Sequence, residues 1–365
     1  MAEILDATLT PGKVDLVSAW IGSQRWYAAK GHTPALTRLR GFRLDDPDGR
    51  VGIETLVLRD DATTPPTVYQ VPLTYRGAPL VGAERALVGT MEHSVLGTRY
   101  VYDGPHDPVY VAALWRFIQG RAQAQAAGVS NTVEPAFSGH TVPGGYAARS
   151  SDVTASRVLG GEQSNTSIVC GVADLGPVIV KVFRTLSPGA NPDVVLQPAL
   201  AAAGCEHVPT TLGWVSGQWA DGQEEGHLAF AQEFLAGTQD AWRVATESVA
   251  AGSDLTGGAA QLGEVVAQIH QILAEAFPTR RPTAEDRVTL VTGLRERFRA
   301  AADEVPELVD FAEAVHSRYD QALQASWPSL QRIHADLHLG QVIAHPSRGW
   351  VVLDFEGEPM RPLAE

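Results

Sequence analysis

The sequence predicts an α+β protein with more than one domain. Three observations predict this. One helical segment precedes a set of short apolar runs separated by turns. A strand–loop–strand–strand stretch near the middle leads into a helix. From about residue 259, long segments of helical period take over and end in a hairpin pattern. A chain of 365 residues exceeds what one core usually spans, so two or three domains are expected.

Taken in order, residues 14–21 read as a short helix, and 36–44, 51–58 and 68–73 as strands. Asp45-Asp46-Pro47-Asp48-Gly49 is a strong turn between the first two strands. Residues 1–90 are therefore expected to lay a helix on an antiparallel sheet. Gln24-Arg25-Trp26-Tyr27 reads as two core aromatics beside a surface arginine, with ligand contact as the rival reading. After the breaker cluster Asp103-Gly104-Pro105-His106-Asp107-Pro108, residues 109–127 read as a helix. Val111, Leu114, Phe117 and Ile118 stand at helical spacing, and Gly128 follows. Residues 128–152 are rich in Gly, Ser, Thr and Pro and read as a loop.

The middle stretch gives strands at 155–159, 168–170 and 178–183, and a helix from Asp193 to about residue 203. Between the first two strands lies Gly160-Gly161-Glu162-Gln163-Ser164-Asn165-Thr166-Ser167. Backbone amides in such a loop can fold over phosphates, although most glycine-rich loops are only turns. Lys181 sits inside the third strand, where a lysine without a partner is costly to bury. Residues 228–235 read as a strand that could offer backbone groups to an adenine, with Glu233 and Leu235 near its end. Residues 259–277 form the clearest helix, striped by Leu262, Val265, Val266, Ile269, Ile272 and Leu273. His270 within it reads as packing. Residues 286–326 read as two helices split near Val305-Pro306.

The formal charge is −14, from 42 acidic and 28 basic residues. Such a surface argues against nucleic acid or an anionic membrane as the main partner, and also serves plain solubility. It does not forbid a polyphosphate bound by local donors and metal. The two cysteines, Cys170 and Cys205, form no CxxC pair and suit buried thiols in a reducing cytosol. No basic-then-apolar leader and no long apolar run is present, so a cytoplasmic protein is expected.

The closing stretch carries the chemistry. His334, Ala335 and Asp336 open it, Gln341 follows five residues after Asp336, and Asp354-Phe355-Glu356 ends it. Between them an apolar run, a turn with Pro346 and Gly349, and a second apolar run make a hairpin signal. A hairpin returns the chain, so Asp336 and Asp354 are expected near one another. Two carboxylates with an amide between them suit phosphoryl transfer to a hydroxyl. The alternation His334, Asp336, His338 has a rival reading as a zinc site, but no second ligand cluster accompanies it. Loop, lysine strand, helix, acid-bearing loop and acid-bearing strand occur in that order, which is more specific than any one of them.

HADLHLGQV followed by VVLDFEGEP resembles the maltokinases and the related actinobacterial glucosamine kinases, within the aminoglycoside-phosphotransferase-like branch of the protein-kinase fold. EQSNTSIV, VKVFR, NPDV and QRWYA are similar to that group as well. The resemblance implies a protein-kinase-like two-lobe fold with an N-terminal α/β cap domain. It implies a cap over residues 1–90, an intermediate subdomain and small nucleotide-binding lobe over 91–235, and a helical C-lobe over 236–365. Maltokinases continue with helices that wall the sugar pocket, so either the C-terminal part of this lobe is missing through truncation, the favoured expectation, or this member is minimal.

By position, the resemblance makes Asp336 the catalytic base, with Gln341 and Asp354 on magnesium and Glu356 in place of a glycine. It sets Lys181 on the α/β-phosphates with Asp193 as its partner. Gln163, Ser164, Asn165 and Thr166 are set along the nucleotide, with Glu233 and Leu235 near its base. His334, which orients the loop, His338 and Glu356 are assigned to the substrate side. ATP and Mg²⁺ are the implied cofactors and a small sugar the implied acceptor, with no nucleic acid or membrane partner. Ala335 departs from the glycine usual in the maltokinase HGD motif, and the segment 250–260 is shorter than in maltokinases. These departures favour glucosamine 6-phosphate as product over maltose 1-phosphate. A drug-modifying aminoglycoside phosphotransferase is a further alternative, and a non-catalytic nucleotide-binding regulator is another.

Overall fold

The computed structural model describes residues 6–129, 131–142, 152–160 and 164–357. The chain divides into two units, Met1–Ala259 with Ala335–Glu365, and Ala260–His334.

The first unit begins with an antiparallel sheet. Its strands run in the order Leu9–Thr10, Leu87–His93, Gly97–Asp103, Thr67–Arg76, Gly52–Asp60, Leu36–Leu44 and Gln125–Ala126. The helix Lys13–Ile21 covers one face. Leu16, Val17 and Ile21 pack there with Leu56, Leu58, Tyr69, Val71 and Val101. Trp26 and Tyr27 are buried in the same core while Arg25 is exposed, so the aromatic-core reading of that cluster holds. The sheet runs past residue 90 through Gly97–Asp103 and takes in Gln125–Ala126.

The second sheet orders Phe137–Thr141, Thr211–Trp219, Glu224–Glu233, Gly176–Phe183, Asn165–Val172 and Val153–Val158, again antiparallel. The helix Pro108–Ile118 lies between the sheets. Its Leu114, Phe117 and Ile118 share one core with Phe42 and Val57 of the first sheet and Val178, Val180 and Val182 of the second. A Cβ on Gly139 would lie 1.8 Å from the Phe117 carbonyl oxygen, so only glycine lets strand and helix approach this closely.

The strand that carries Lys181 runs on through Arg184 into Thr185–Leu186, which pairs with Thr67–Arg76 of the first sheet. Arg184 is fully buried at the crossing. It donates to Asp103 at 2.6 Å and to the Thr166 hydroxyl at 2.8 Å, and it stacks 4.8 Å from the Trp26 ring centroid. Gln70 donates to the carbonyls of Phe183 and Leu228, both at 2.9 Å. Backbone pairing and a buried ion pair thus join the two sheets.

Two expectations need correction. The helix expected over 109–127 ends at Ile118, because Gly120 adopts φ +68° and turns the chain. Gln125–Ala126 instead pairs with Leu36–Leu44, so sheet pairing overrides the helix preference of an alanine-rich run. The stretch 128–152, expected as a loop, contains the strand Phe137–Thr141, recruited through buried Phe137. Both cysteines are free and buried, as expected.

The second unit is helical. It holds most of Thr256–Ala276, then Ala284–Glu304 and Ala312–Gln324, with a 3₁₀ turn at Pro306–Phe311. The split near Val305 agrees with the proline there. Thr283 and Asp286 form a reciprocal cap at the start of the second helix. Val265, Ile269 and Leu273 of the expected stripe are buried. The His270 carbonyl accepts from Gln331 at 3.0 Å. No helix among the described residues is long and apolar enough to cross a membrane.

Candidate active site

The hairpin is real and it positions the acids. Val342–His345 pairs with Gly349–Val352, in the register Val342↔Val352 to His345↔Gly349. Gly349 takes φ +70° where the turn rejoins the second strand, a left-handed backbone that glycine adopts without steric cost. The Leu353 amide donates to the Gln341 carbonyl at 2.8 Å and carries the pairing one step further. Gln341 therefore stands beside Asp354, and its side-chain amide donates to Asp354 Oδ2 at 2.9 Å.

Lys181 reaches the same place from the second sheet. Val178, Val180 and Val182 fill the core, so period-two alternation turns Lys181 to the other face. Its ammonium lies 2.6 Å from Asp193 Oδ2, 2.8 Å from Asp354 Oδ1 and 3.6 Å from Glu356 Oε1. Burial alone would depress this amine, but the charges of Asp193, Glu356 and Asp354 outweigh it. Its pKa stands well above the ordinary lysine value.

Asp193 is fully buried in the first turn of the helix Pro192–Ala202. Asn191 caps that helix by accepting from the Asp193 amide. The second Asp193 oxygen accepts from Gln197 at 2.7 Å and from the Phe355 amide at 2.6 Å. Asp193 thus joins the lysine strand to the segment after Asp354. Asn191 and Gln197 were not singled out from the sequence. The available signals were an Asn before Pro-Asp at a helix start, and a glutamine four residues after Asp193.

Glu356 accepts from Asn165 at 2.9 Å, which fastens the loop-proximal end of Asn165–Val172 to the Asp354 segment. Burial pushes the Glu356 carboxyl up to about 7 despite the pull of Lys181, and Asp193 and Asp354 add to the rise. An acid with a raised folded pKa contributes stability fully present below its unfolded value. That contribution is lost as pH rises through about 7. Glu356→Gln is expected to match wild type in urea midpoint near pH 4.5 and to exceed it at pH 8, by at most about 3 kcal/mol. Parallel stability curves across that range would contradict this.

Ala335 adopts φ +69° and Asp354 φ +64°, both left-handed. A Cβ built on Gly357 would lie 3.7 Å from that of Ala335, so the chain next to Asp336 runs beside the end of the Asp354 segment. Asp336 is half-buried, and His334 is buried. His338 is exposed, and its Nδ1 accepts from the Gly340 amide at 3.0 Å, closing the turn that leads to Gln341. The left-handed backbone explains why glycine suits position 335. Ala335→Gly is expected to stabilise the protein by about 0.5–1 kcal/mol, the relieved strain less the added unfolded-state entropy. A lowered urea midpoint would refute that.

The remaining predicted residues divide. Thr166, expected with the phosphate loop, lies in the strand and turns to the opposite face, where its hydroxyl accepts from Arg184. The sequence shows no strand start at Asn165, because the polar Asn-Thr-Ser run reads as loop. Ser164 is exposed, and its carbonyl accepts from the Arg184 amide at 3.3 Å. Gln163 lies outside the described residues. The Glu233 side chain accepts from Thr210 and, at 2.9 Å, from Arg348 of the hairpin turn. The Glu233 amide donates to the Thr210 carbonyl at 2.9 Å. The Leu235 carbonyl accepts from Thr238 at 2.9 Å.

Asp193, Asp354 and Glu356 bring carboxylate oxygens within 4.8 Å of one another. Asp193 is fully buried, whereas Asp354, Glu356 and Gln341 are only half-buried, so the carboxylates of Asp354 and Glu356 and the side-chain oxygen of Gln341 are the donors within reach of an ion. Hard oxygen donors of this kind fit magnesium.

A lysine strand, an acid on the following helix and an acid after a β-hairpin define a protein-kinase-like phosphotransferase. Residues 156–357 match the family described as the phosphotransferase enzyme family, and residues 20–107 match the maltokinase N-terminal cap domain. The first match spans more than half of the chain, and the chain belongs to that family. It is an ATP-dependent phosphotransferase with an alcohol group as acceptor. Its fold is similar to that of glucosamine kinase in complex with glucosamine, ADP and inorganic phosphate, at TM-score 0.61 and 22% identity over 97% of this chain and 74% of the other. Two crystal forms of glucosamine kinase, B and A, give TM-scores of 0.63 and 0.59 at 21% and 22% identity, with the same coverage.

Proposed function

We propose that the chain is a sugar kinase that transfers the γ-phosphate of ATP to glucosamine, giving glucosamine 6-phosphate. The observation that carries the kinase reading is Lys181 held between Asp193 and Asp354, with Gln341 on the other Asp354 oxygen. The glucosamine reading draws on the likeness of fold to glucosamine kinase over 97% of this chain and on Ala335 at the position maltokinases give to glycine. The cap-domain match favours a second reading, a maltokinase that makes maltose 1-phosphate.

In this proposal Asp336 orients the acceptor hydroxyl and takes its proton as the phosphoryl group leaves the nucleotide. Lys181 holds the α/β-phosphates, kept protonated and aimed by Asp193. Ser164 and Asn165 lie along the phosphates, and backbone groups of Glu233 and Leu235 meet the base. Asp354 and Gln341 would hold magnesium, which neutralises phosphate charge when bound. His334, His338 and Glu356 stand on the acceptor side. A cap over 1–90, a small lobe over 91–235, a helical lobe from 236 onward and a cytoplasmic location belong to the same proposal.

The test is turnover of glucosamine, maltose and kanamycin with ATP and Mg²⁺, read by ADP release and product mass. Glucosamine 6-phosphate as the favoured product supports the proposal. Turnover of maltose alone selects the second reading, and turnover of kanamycin alone overturns both.

A further inference from the structure

The first sheet holds a cleft of about 420 Å³ that shares no residue with the Lys181 group. Lys13, Arg43, Arg50 and Arg99 line it, together with His93. Glu54 is the one acid among its described lining residues, and it is already held by Lys13 and by Arg38. The cleft is therefore net positive in a chain whose formal charge is −14, so the cluster does not follow from composition. Among the described residues the Arg50 side chain pairs with Asp48, both strongly exposed, and such a surface pair yields readily to a better anion.

Two groups on the cleft carry unused donors. Arg99 is half-buried and one terminal nitrogen donates to the Leu96 carbonyl, while its Nε has no hydrogen-bond partner among the described residues. His93 Nδ1 accepts from the amides of Val95 and Leu96, both at 3.2 Å, which leaves its Nε2 to donate. Ile53 and Met91 supply apolar wall, and the volume falls in the range of small-molecule sites. Forked guanidinium donors match the oxygens of a phosphate dianion. We propose that this cleft binds a small organic phosphomonoester, at a site separate from the nucleotide and acceptor.

The test titrates glucose 6-phosphate, inorganic phosphate and glucose into the full chain by calorimetry, with a non-hydrolysable ATP analogue and Mg²⁺ at saturation. Glucose 6-phosphate is expected to bind more tightly than inorganic phosphate. Arg43→Ala and Arg99→Ala are each expected to weaken it tenfold or more. Arg50→Ala, a change at an exposed side chain that leaves the core intact, is expected to weaken it severalfold. Unchanged affinity in all three variants would overturn the proposal. So would inorganic phosphate binding as tightly as the ester. Loss of binding in Asp336→Asn with retention in the arginine variants would place the ester in the acceptor pocket and also overturn it.

Discussion

Asp336→Asn is expected to lower kcat by about 10²–10⁴ while leaving the KM for ATP within a few-fold. Asparagine keeps the size of the side chain and can still accept a hydrogen bond from a hydroxyl, but it cannot take a proton. The loss should therefore fall on the chemical step. Asp336 is half-buried and follows Ala335, whose left-handed backbone brings the chain beside Gly357. In the proposed mechanism that fixed approach would let Asp336 position the hydroxyl as well as take its proton. Steady-state ADP release on the best acceptor gives the measurement, with the urea midpoint as a check on folding. A variant within threefold of wild-type kcat would remove Asp336 from the chemistry.

Lys181→Met is expected to damage both activity and stability, and the two effects can be separated. Methionine fills the stem volume but leaves Asp193, Asp354 and Glu356 without the cation that now lies 2.6, 2.8 and 3.6 Å from them. Removing one partner of a buried ion pair costs about 3–5 kcal/mol, because the other charge stays desolvated. Asp193 suffers most, being fully buried, although Gln197 and the Phe355 amide still donate to it. The destabilisation should be smaller at pH 5 than at pH 8, since carboxylates relieved of their counter-charge take up protons. Adding Asp193→Asn removes one buried charge and should restore much of the stability. It should restore none of the activity, which is expected to fall by about 10²–10³ through lost stabilisation of phosphate charge. Recovery of kcat in the double variant would mean that Lys181 serves folding alone.

The Lys181–Asp193 contact shows how far a linear reading reaches. A lysine inside an apolar strand announces a buried charge in need of partners, and an aspartate at the next helix start is a nearby candidate. The sequence holds no signal that a second partner comes from Asp354, 173 positions away. Glu356 is similar. Its place two residues after Asp354 is legible, but the Asn165 bond that ties it to the loop-proximal strand end is not. Thr166 marks the failure in the other direction. In a polar run its side chain could face either way, and only the start of the strand at Asn165 assigns it to Arg184.

Local chemistry alone determined the helix stripes, the Pro346–Gly349 hairpin, the order of lysine and acid segments, and the family pattern in the closing stretch. Each depends on neighbours within a few turns of chain, where spacing dictates facing. Tertiary structure alone decided that Gln125–Ala126 pairs with Leu36–Leu44, that Phe137–Thr141 joins the second sheet, and that Arg184 and Asp103 lock the two sheets together. It also decided that three carboxylates gather around one ammonium. These outcomes depend on desolvation and on pairing between residues far apart in sequence, whose free energy exists only once the sheets are stacked.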